Sequence, residues 1–150
     1  MALHVATFAR LDPATLYALL RLREAVFVVE QRCPYQDLDG RVAEPQTRHL
    51  WLTAGDGGPP QAYLRIVADA GGVARIGRVC VAADARGAGL AATLMRHALD
   101  LIGPHPSVLA AQSYLTGFYQ RYGFVASGPE FIEDGIPHVP MLRAAPPPAP

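Results

Sequence analysis

A β-branched strand runs directly into a glycine cluster and then into an amphipathic helix at residues 79–100, VCVAADARGAGLAATLMRHALD. A helix that starts in a glycine loop presents unpaired backbone N–H groups and the positive end of its macrodipole, and both favour an anion such as phosphate. This junction predicts a strand–loop–helix unit that binds phosphate at residues 86–91, and the fold has to place that unit against a sheet.

The composition predicts one globular domain. The chain has 150 residues, 51% of them hydrophobic, which suffices for one full core but not for two. We expect the domain to span residues 1–143 and a flexible Pro/Ala-rich tail to follow at residues 144–150. Thirteen acidic residues balance thirteen basic ones, which argues against a general nucleic-acid binder or a polybasic membrane binder. Without a secretory pattern or an apolar run of membrane-spanning length, we expect a soluble, cytoplasmic protein.

Residue usage excludes several kinds of chemistry. All thirteen basic residues are arginines, so Schiff-base catalysis and the lysine of a P-loop are ruled out. The two cysteines form no CxxC pair, and we expect Cys80 in the core and Cys33 in a loop. His4, His97 and His105 lack metal-ligand spacing, so no metal site is predicted.

The order of elements predicts an α+β fold. Asp12 as N-cap and Pro13 at the first helical position start a helix that we expect to end near Phe27. A polar stretch at residues 30–47 is long enough to cover a site. The predicted strands are 3–8, 49–54, 61–68, 74–82, 107–112 and a last pair near 124–128 and 138–143; the predicted later helices are 88–102 and 114–124. Such an order gives a mixed, mainly antiparallel sheet with helices on both faces.

The glycine loop fits two phosphate ligands. Gly87, Gly89 and Ala92 match the G-x-G-x-x-A fingerprint of dinucleotide-binding proteins. That interpretation also requires an acidic residue at the end of the next strand, which ends in Gln112, and it places the fingerprint at the start of the domain rather than after several antiparallel strands. Dinucleotide binding therefore stays a remote alternative.

The second interpretation uses Arg86, Gly89 and Ala91 as an R-x-x-G-x-A loop. Together with the blocks FVVEQRCPYQDLDG, RHLWL, IGRVCV, LAAQSYLTGFYQRYGF and EDGIPHVPM, this loop resembles the GNAT acetyltransferase superfamily, and more narrowly its ElaA-like branch, over nearly the whole chain. Two departures are Ala83, where a proline is common, and Ala91 as the last loop residue.

The resemblance implies where acetyl-CoA binds. The pantetheine arm lies between two diverging strands, and a backbone N–H near Val79 or Cys80 donates to the acetyl oxygen, although these residues also suit an ordinary core strand. The implied cofactor-binding residues are Val79, Cys80, Val81, Arg86, Gly87, Ala88, Gly89, Leu90, Ala91, Gln112 and Tyr119.

The resemblance also implies a general acid. In FYQRYGF this is Tyr119, whose phenol is a suitable donor to the departing thiolate, whereas Tyr122 is expected to pack. Helical spacing alone would place both tyrosines in the core. The residues 86–91 could wrap a pyrophosphate with their N–H groups alone, with Arg86 adding charge.

The general base is less determined. Glu30, His49, Glu133 and His138 lie in segments that could border the acceptor, and we rank Glu30 and His138 first. Glu30 could equally cap a helix or pair with Arg32, and His49 could simply begin a strand.

The acceptor side carries Asp37 and Asp39. These carboxylates would attract a cationic amine, but they are also common in exposed turns. The sequence therefore predicts an N-acetyltransferase that moves acetyl directly from acetyl-CoA to a primary amine of a small molecule or peptide, without a metal. The alternative is a non-catalytic coenzyme A sensor or interaction module, and a homodimer is left open.

Overall fold

A computed structural model describes residues 1–145 as one sheet flanked by helices. The strands are β1 (Ala2–Thr7), β2 (Arg48–Thr53), β3 (Pro60–Ala68), β4 (Ala74–Val81), β5 (Ser107–Gln112), β6 (Val125–Ala126), β7 (Phe131–Glu133) and β8 (Ile136–Arg143). The α-helices are α1 (Pro13–Arg23), α2 (Leu90–Ile102) and α3 (Thr116–Gln120). No helix within these residues is long and apolar enough to cross a bilayer. Of the predicted tail at residues 144–150, the last five residues lie outside the described part of the chain.

The sheet divides into two halves at its centre. Its strand order is β1-β2-β3-β4-β5-β8-β6, with β7 also paired to β8. Every neighbouring pair is antiparallel except β4 and β5, which are parallel and share only the pairs Ala74↔Ser107 and Arg75↔Val108. Beyond these pairs the two strands diverge, so the inner edges of β4 and β5 face a gap. The predicted mixed, mainly antiparallel sheet is confirmed.

The two faces of the sheet carry different helices. Leu94 and Met95 of α2 pack with Leu64 and other residues of one face. Leu19 and Leu22 of α1 pack on the other face, with Trp51, Tyr63 and Cys80. The alternation along β3, in which Tyr63 and Leu64 point to opposite faces, explains why one apolar strand serves both clusters. We call the two sides the α2 face and the α1 face.

The first helix differs from the prediction at its end. Asp12 caps α1 as expected, because its Oδ1 accepts a hydrogen bond of 2.7 Å from the Thr15 N–H. The helix does not end near Phe27; it widens into a π-helical segment, Glu24–Glu30. Such wide turns are frequent at functional sites, and this one carries Glu30 to the gap in the sheet.

Three further boundaries also differ. The helix predicted from Ala88 begins at Leu90, because Gly89 has φ +73° and acts as the N-cap. The helix predicted for residues 114–124 is reduced to Thr116–Gln120 after a 3₁₀ turn, and the hairpin strand Phe131–Glu133 was not predicted. That strand is short and exposed, and it forms through pairing with β8 rather than through a pattern of its own.

Candidate active site

The gap between β4 and β5 opens into a cleft of about 950 Å³. It is bordered by the π-helical segment, the following loop, α3 and the β7–β8 hairpin. The predicted residues that line it are Val79, Cys80, Val81, Arg86, Ala91, Gln112, Tyr119, Glu30, Glu133 and His138. Gly87, Ala88, Gly89 and Leu90 continue the chain from Arg86 into α2.

A β-bulge shapes the β4 wall of the cleft. Tyr63 pairs with Cys80 and Arg65 with Gly77, so β4 has one more residue than β3 in this interval. The irregularity contains Arg78, which has φ +53°. Bulges increase strand twist and redirect backbone groups, and this one immediately precedes Val79.

The glycine loop leaves an open cradle at the start of α2. Gly87 and Gly89 have φ of +88° and +73°, and a Cβ added to Gly89 would meet no heavy atom within 4 Å. The first N–H groups of α2 lack partners within the helix, and its N-cap supplies no side-chain acceptor. This open, N–H-rich cradle fits the pyrophosphate of coenzyme A.

Arg86 connects this loop to the π-helical segment. Its Nη1 and Nη2 each donate to a Glu30 carboxylate oxygen at 2.7 Å, and its Nε and Nη2 donate to the Val81 carbonyl at 3.2 and 3.1 Å. The hydrogen bonds from Arg86 lower the pKa of Glu30. Glu30 is therefore a weak base as long as this pair is closed.

Tyr119 lies on the α3 wall and is almost fully buried. Its ring packs edge-on against Phe118 and Phe124, with centroid separations of 5.0 and 6.3 Å. Burial raises the pKa of Tyr119 to about 12, so the phenol keeps its proton at physiological pH. Tyr122 follows the end of α3 and packs against Phe118 at 5.5 Å, and it is not among the residues that line the cleft.

His138 lines the cleft, and its Nε2 makes no hydrogen bond within residues 1–145. Its Nδ1 lies 2.7 Å from the Ile136 carbonyl, which can only accept, so in the neutral ring Nδ1 carries the hydrogen and Nε2 the lone pair. The ring stacks on Phe131 at 5.7 Å. This arrangement leaves Nε2 available as a proton acceptor.

His49, the other histidine considered as a base, lies elsewhere. It is 1% exposed, and its ring nitrogens lie 2.6 Å from the Tyr63 hydroxyl and 3.1 Å from the Val42 carbonyl. Burial lowers its pKa. The structure removes His49 from the candidate bases, because its nitrogens are engaged and it does not line the cleft.

Asp37 and Asp39 are not free to attract a cationic amine, as one interpretation of the sequence had it. Asp37 is 6% exposed and binds the guanidinium groups of Arg23 and Arg78. Asp39 is chelated by both terminal nitrogens of Arg65. One sequence signal could have indicated the role of these arginines: Arg65 interrupts the apolar strand β3, where a buried charge needs a partner.

Cys33 lies in the loop after the π-helical segment, as expected, and it is buried there. It is 7% exposed, and its Sγ donates to the Asp134 carbonyl at 3.0 Å. This contact joins the loop after the π-helical segment to the β7–β8 turn across the cleft.

The comparisons with known proteins agree with this geometry. A splayed mixed sheet with a glycine loop leading into a helix is the arrangement that the resemblance to the GNAT N-acetyltransferases implied. The family model of the acetyltransferase (GNAT) domain matches residues 19–144. The chain belongs to the GNAT acetyltransferase family, within its ElaA-like group. Dinucleotide binding is thereby set aside.

Individual relatives cover nearly the whole chain. A UPF0039 protein of Mycobacterium tuberculosis is 52% identical over 136 residues, which are 89% of this chain and 86% of the relative. The crystal structure of an acyl-CoA N-acyltransferase from Pseudomonas aeruginosa superposes with a TM-score of 0.88 at 43% identity, covering 95% of this chain and 99% of that one. The crystal structure of Escherichia coli ElaA has a TM-score of 0.87 at 37% identity, covering 95% and 98%.

Proposed function

We propose that the protein transfers an acetyl group from acetyl-CoA directly to a primary amine. One observation carries the proposal: the proposed acid and the proposed base approach the gap from opposite faces of the sheet. Ala111 and Val139 pack in the α2-face core together with Tyr119. Their neighbours Gln112 and His138 pair with each other and alternate to the α1 face. A thioester in the gap would therefore have a proton donor on one side and a proton acceptor on the other.

The residues that would hold acetyl-CoA would bind it through backbone groups in two places, the inner edge of β4 and the glycine loop. The inner edge of β4 at Val79, Cys80 and Val81 would pair with the pantetheine arm, and the N–H groups of residues 86–91 would surround the pyrophosphate. Acetyl-CoA would supply the acetyl group, already activated as a thioester. That the Pseudomonas aeruginosa relative is an acyl-CoA N-acyltransferase supports this choice of donor.

Each reacting group has an assigned partner. We assign a backbone N–H near Val79 or Cys80 to the acetyl oxygen, where it would stabilise the charge that develops as the amine nitrogen bonds to the carbonyl carbon. His138 Nε2 would take the amine proton, and Tyr119 would donate its proton to the sulfur as the C–S bond breaks. Glu30 is the second candidate base, and its pair with Arg86 would have to open first.

The test is an acceptor screen that follows free thiol release with amines, peptides and aminoglycosides. Transfer to at least one amine is the expected result. Tight coenzyme A binding by calorimetry without transfer to any acceptor would instead support the non-catalytic sensor or interaction module.

A further inference from the structure

Three arginines and two aspartates form a cluster on the acceptor side of the cleft. We call Arg23, Arg65, Arg78, Asp37 and Asp39 the arginine floor. The floor lies on the α1 face, since the Arg23 guanidinium stacks over the ring of Tyr63 at 5.7 Å. The glycine loop leads into α2 on the other face, so the floor is separate from the proposed pyrophosphate cradle.

The arginine floor carries one positive charge more than its carboxylates neutralise. Asp37 binds Arg23 Nε at 3.1 Å and Arg78 Nε at 2.8 Å, and Asp39 binds Arg65. The hydrogen bonds and charge of Arg65 hold the pKa of Asp39 well below its usual range despite burial, so it is ionised. Three guanidinium groups therefore face two carboxylates.

The neighbouring titratable groups do not cancel this charge. Burial raises the pKa values of Tyr35 and Tyr63 and lowers that of His49, which keeps all three neutral near pH 7. The adjoining charges balance among themselves: Arg41 with Glu44 and Asp69, and Asp69 also with Arg75. The surplus positive charge is thus a local property of the floor.

Some N–H donors of the arginine floor have no acceptor within residues 1–145. Arg65 is 5% exposed, and its Nε has no partner within residues 1–145. A Cβ on Gly77 would lie 4.0 Å from that Nε, so the missing side chain leaves space above it. The Arg78 side chain is 24% exposed and, in the same part of the chain, its Nη1 makes no hydrogen bond. Arg65, Gly77 and Arg78 all line the cleft.

The opposite wall has the complementary charge. Glu133, Asp134 and His138 come from β7, its turn and β8, and all line the same cleft. An ammonium group is favoured near these residues and an anion near the arginine floor. A molecule that carries both an ammonium group and an anionic group would bind to both walls at once.

We propose that the acceptor is an amino-carboxylate, such as a free amino acid, whose carboxylate binds Arg78 and Arg65 while its amine lies at His138. This proposal rests on the proposed acetyl transfer. A carboxylate matches a guanidinium fork, and its single charge matches the single surplus charge better than the phosphate of a monoester, which carries about −1.5 to −2 at neutral pH.

Calorimetry on the coenzyme A-loaded protein tests the proposal directly. The probes are the twenty common L-amino acids, each paired with its α-amide, with β-alanine and γ-aminobutyrate to vary the spacing of the two groups. At least one acid should bind about 10- to 100-fold more tightly than its amide, the range for hydrogen bonds to a charged group. Should no acid exceed its amide, the proposal is overturned.

Variants at the floor separate recognition from folding. Arg78→Gln should remove most of the preference for the acid and leave the affinity for the amide and for coenzyme A unchanged. Arg96→Gln, at an exposed position of α2, is the matched control and should keep the preference. Equal losses for acid and amide in Arg78→Gln would show a merely structural role and count against the proposal. If acids bind preferentially but are not acetylated, recognition stands and the proposed transfer fails.

Discussion

At the scale of single residues, Tyr119 combines a buried ring with a hydroxyl that makes no hydrogen bond within residues 1–145. Tyr119→Phe keeps the ring contacts with Phe118 and Phe124 and removes only the proton donor. We expect the single-turnover rate to fall about 10²- to 10⁴-fold, the usual contribution of general acid catalysis, with coenzyme A affinity unchanged. Rapid-quench kinetics and calorimetry measure the two quantities.

The control is Tyr122→Phe, which should keep the full rate. A loss confined to Tyr122→Phe would move the acid by three positions along the chain, from Tyr119 to Tyr122. The pKa of about 12 for Tyr119 adds a pH criterion. The phenol stays protonated below that value. The rate should therefore rise as the base loses its proton and should then show no decline caused by loss of the acid's proton up to about pH 10, as expected for acid–base catalysts. A decline near neutral pH would assign the acid to another group.

Gly89 is the loop residue from which α2 starts, and its backbone conformation favours glycine. Its φ of +73° disfavours side chains, and an added side chain would occupy the open cradle. Gly89→Val is expected to weaken coenzyme A binding at least tenfold by calorimetry, equivalent to about 1.4 kcal/mol. Gly55→Val is a matched control, since Gly55 also has a positive φ and open space around it but lies outside the cleft. Unchanged affinity in a folded Gly89→Val protein would refute the placement of the pyrophosphate.

At the scale of elements, Asp37 fixes the long loop to the sheet. Its carboxylate binds Arg23 of α1 and Arg78 of the β4 bulge, and it accepts a 2.9 Å hydrogen bond from Tyr35. Asp37→Asn would leave the fully buried Arg23 without a counter-charge. We expect the free energy of unfolding to drop by about 3–5 kcal/mol in urea titrations. Glu44→Gln, which breaks an exposed ion pair with Arg41, should cost about 1 kcal/mol or less.

The elements show which contacts a sequence can reveal. The cap at Asp12, the antiparallel β2–β4 run and the loop glycines follow from local chemistry, and their positions were predicted within about two residues, apart from the π-helical extension. The ion pairs Glu30–Arg86 and Arg23–Asp37 were not predicted, because they join residues that are 56 and 14 positions apart and meet only in the folded protein. The contact between Cys33 and Asp134 was not predicted for the same reason, since the two residues are 101 positions apart. The assignments of Tyr119 and His138 remain predictions.

At the scale of the whole molecule, the gap leaves the sheet incomplete until a ligand occupies it. β4 and β5 share two residue pairs, and the remaining inner-edge groups have no strand partner. Coenzyme A at 100 times its dissociation constant should stabilise the protein by about 2.7 kcal/mol, seen as a higher melting temperature. Hydrogen exchange should slow at residues 76–81 and 109–112, while β1 and β2 serve as the internal reference. Slower exchange spread evenly over the sheet would contradict a pantetheine site between β4 and β5.

The splay of β4 and β5 also bears on self-association. Unpaired strand edges normally template pairing with other chains and lead to aggregation. Here β4 and β5 come together at Ala74 and Arg75, so the gap between them narrows towards that end, and α2 covers one face of the sheet. A strand from another molecule could therefore enter the gap only from its open end. A slender extended ligand meets no such obstacle. The protein can therefore keep hydrogen-bonding groups open in the middle of its sheet without offering them to its own copies.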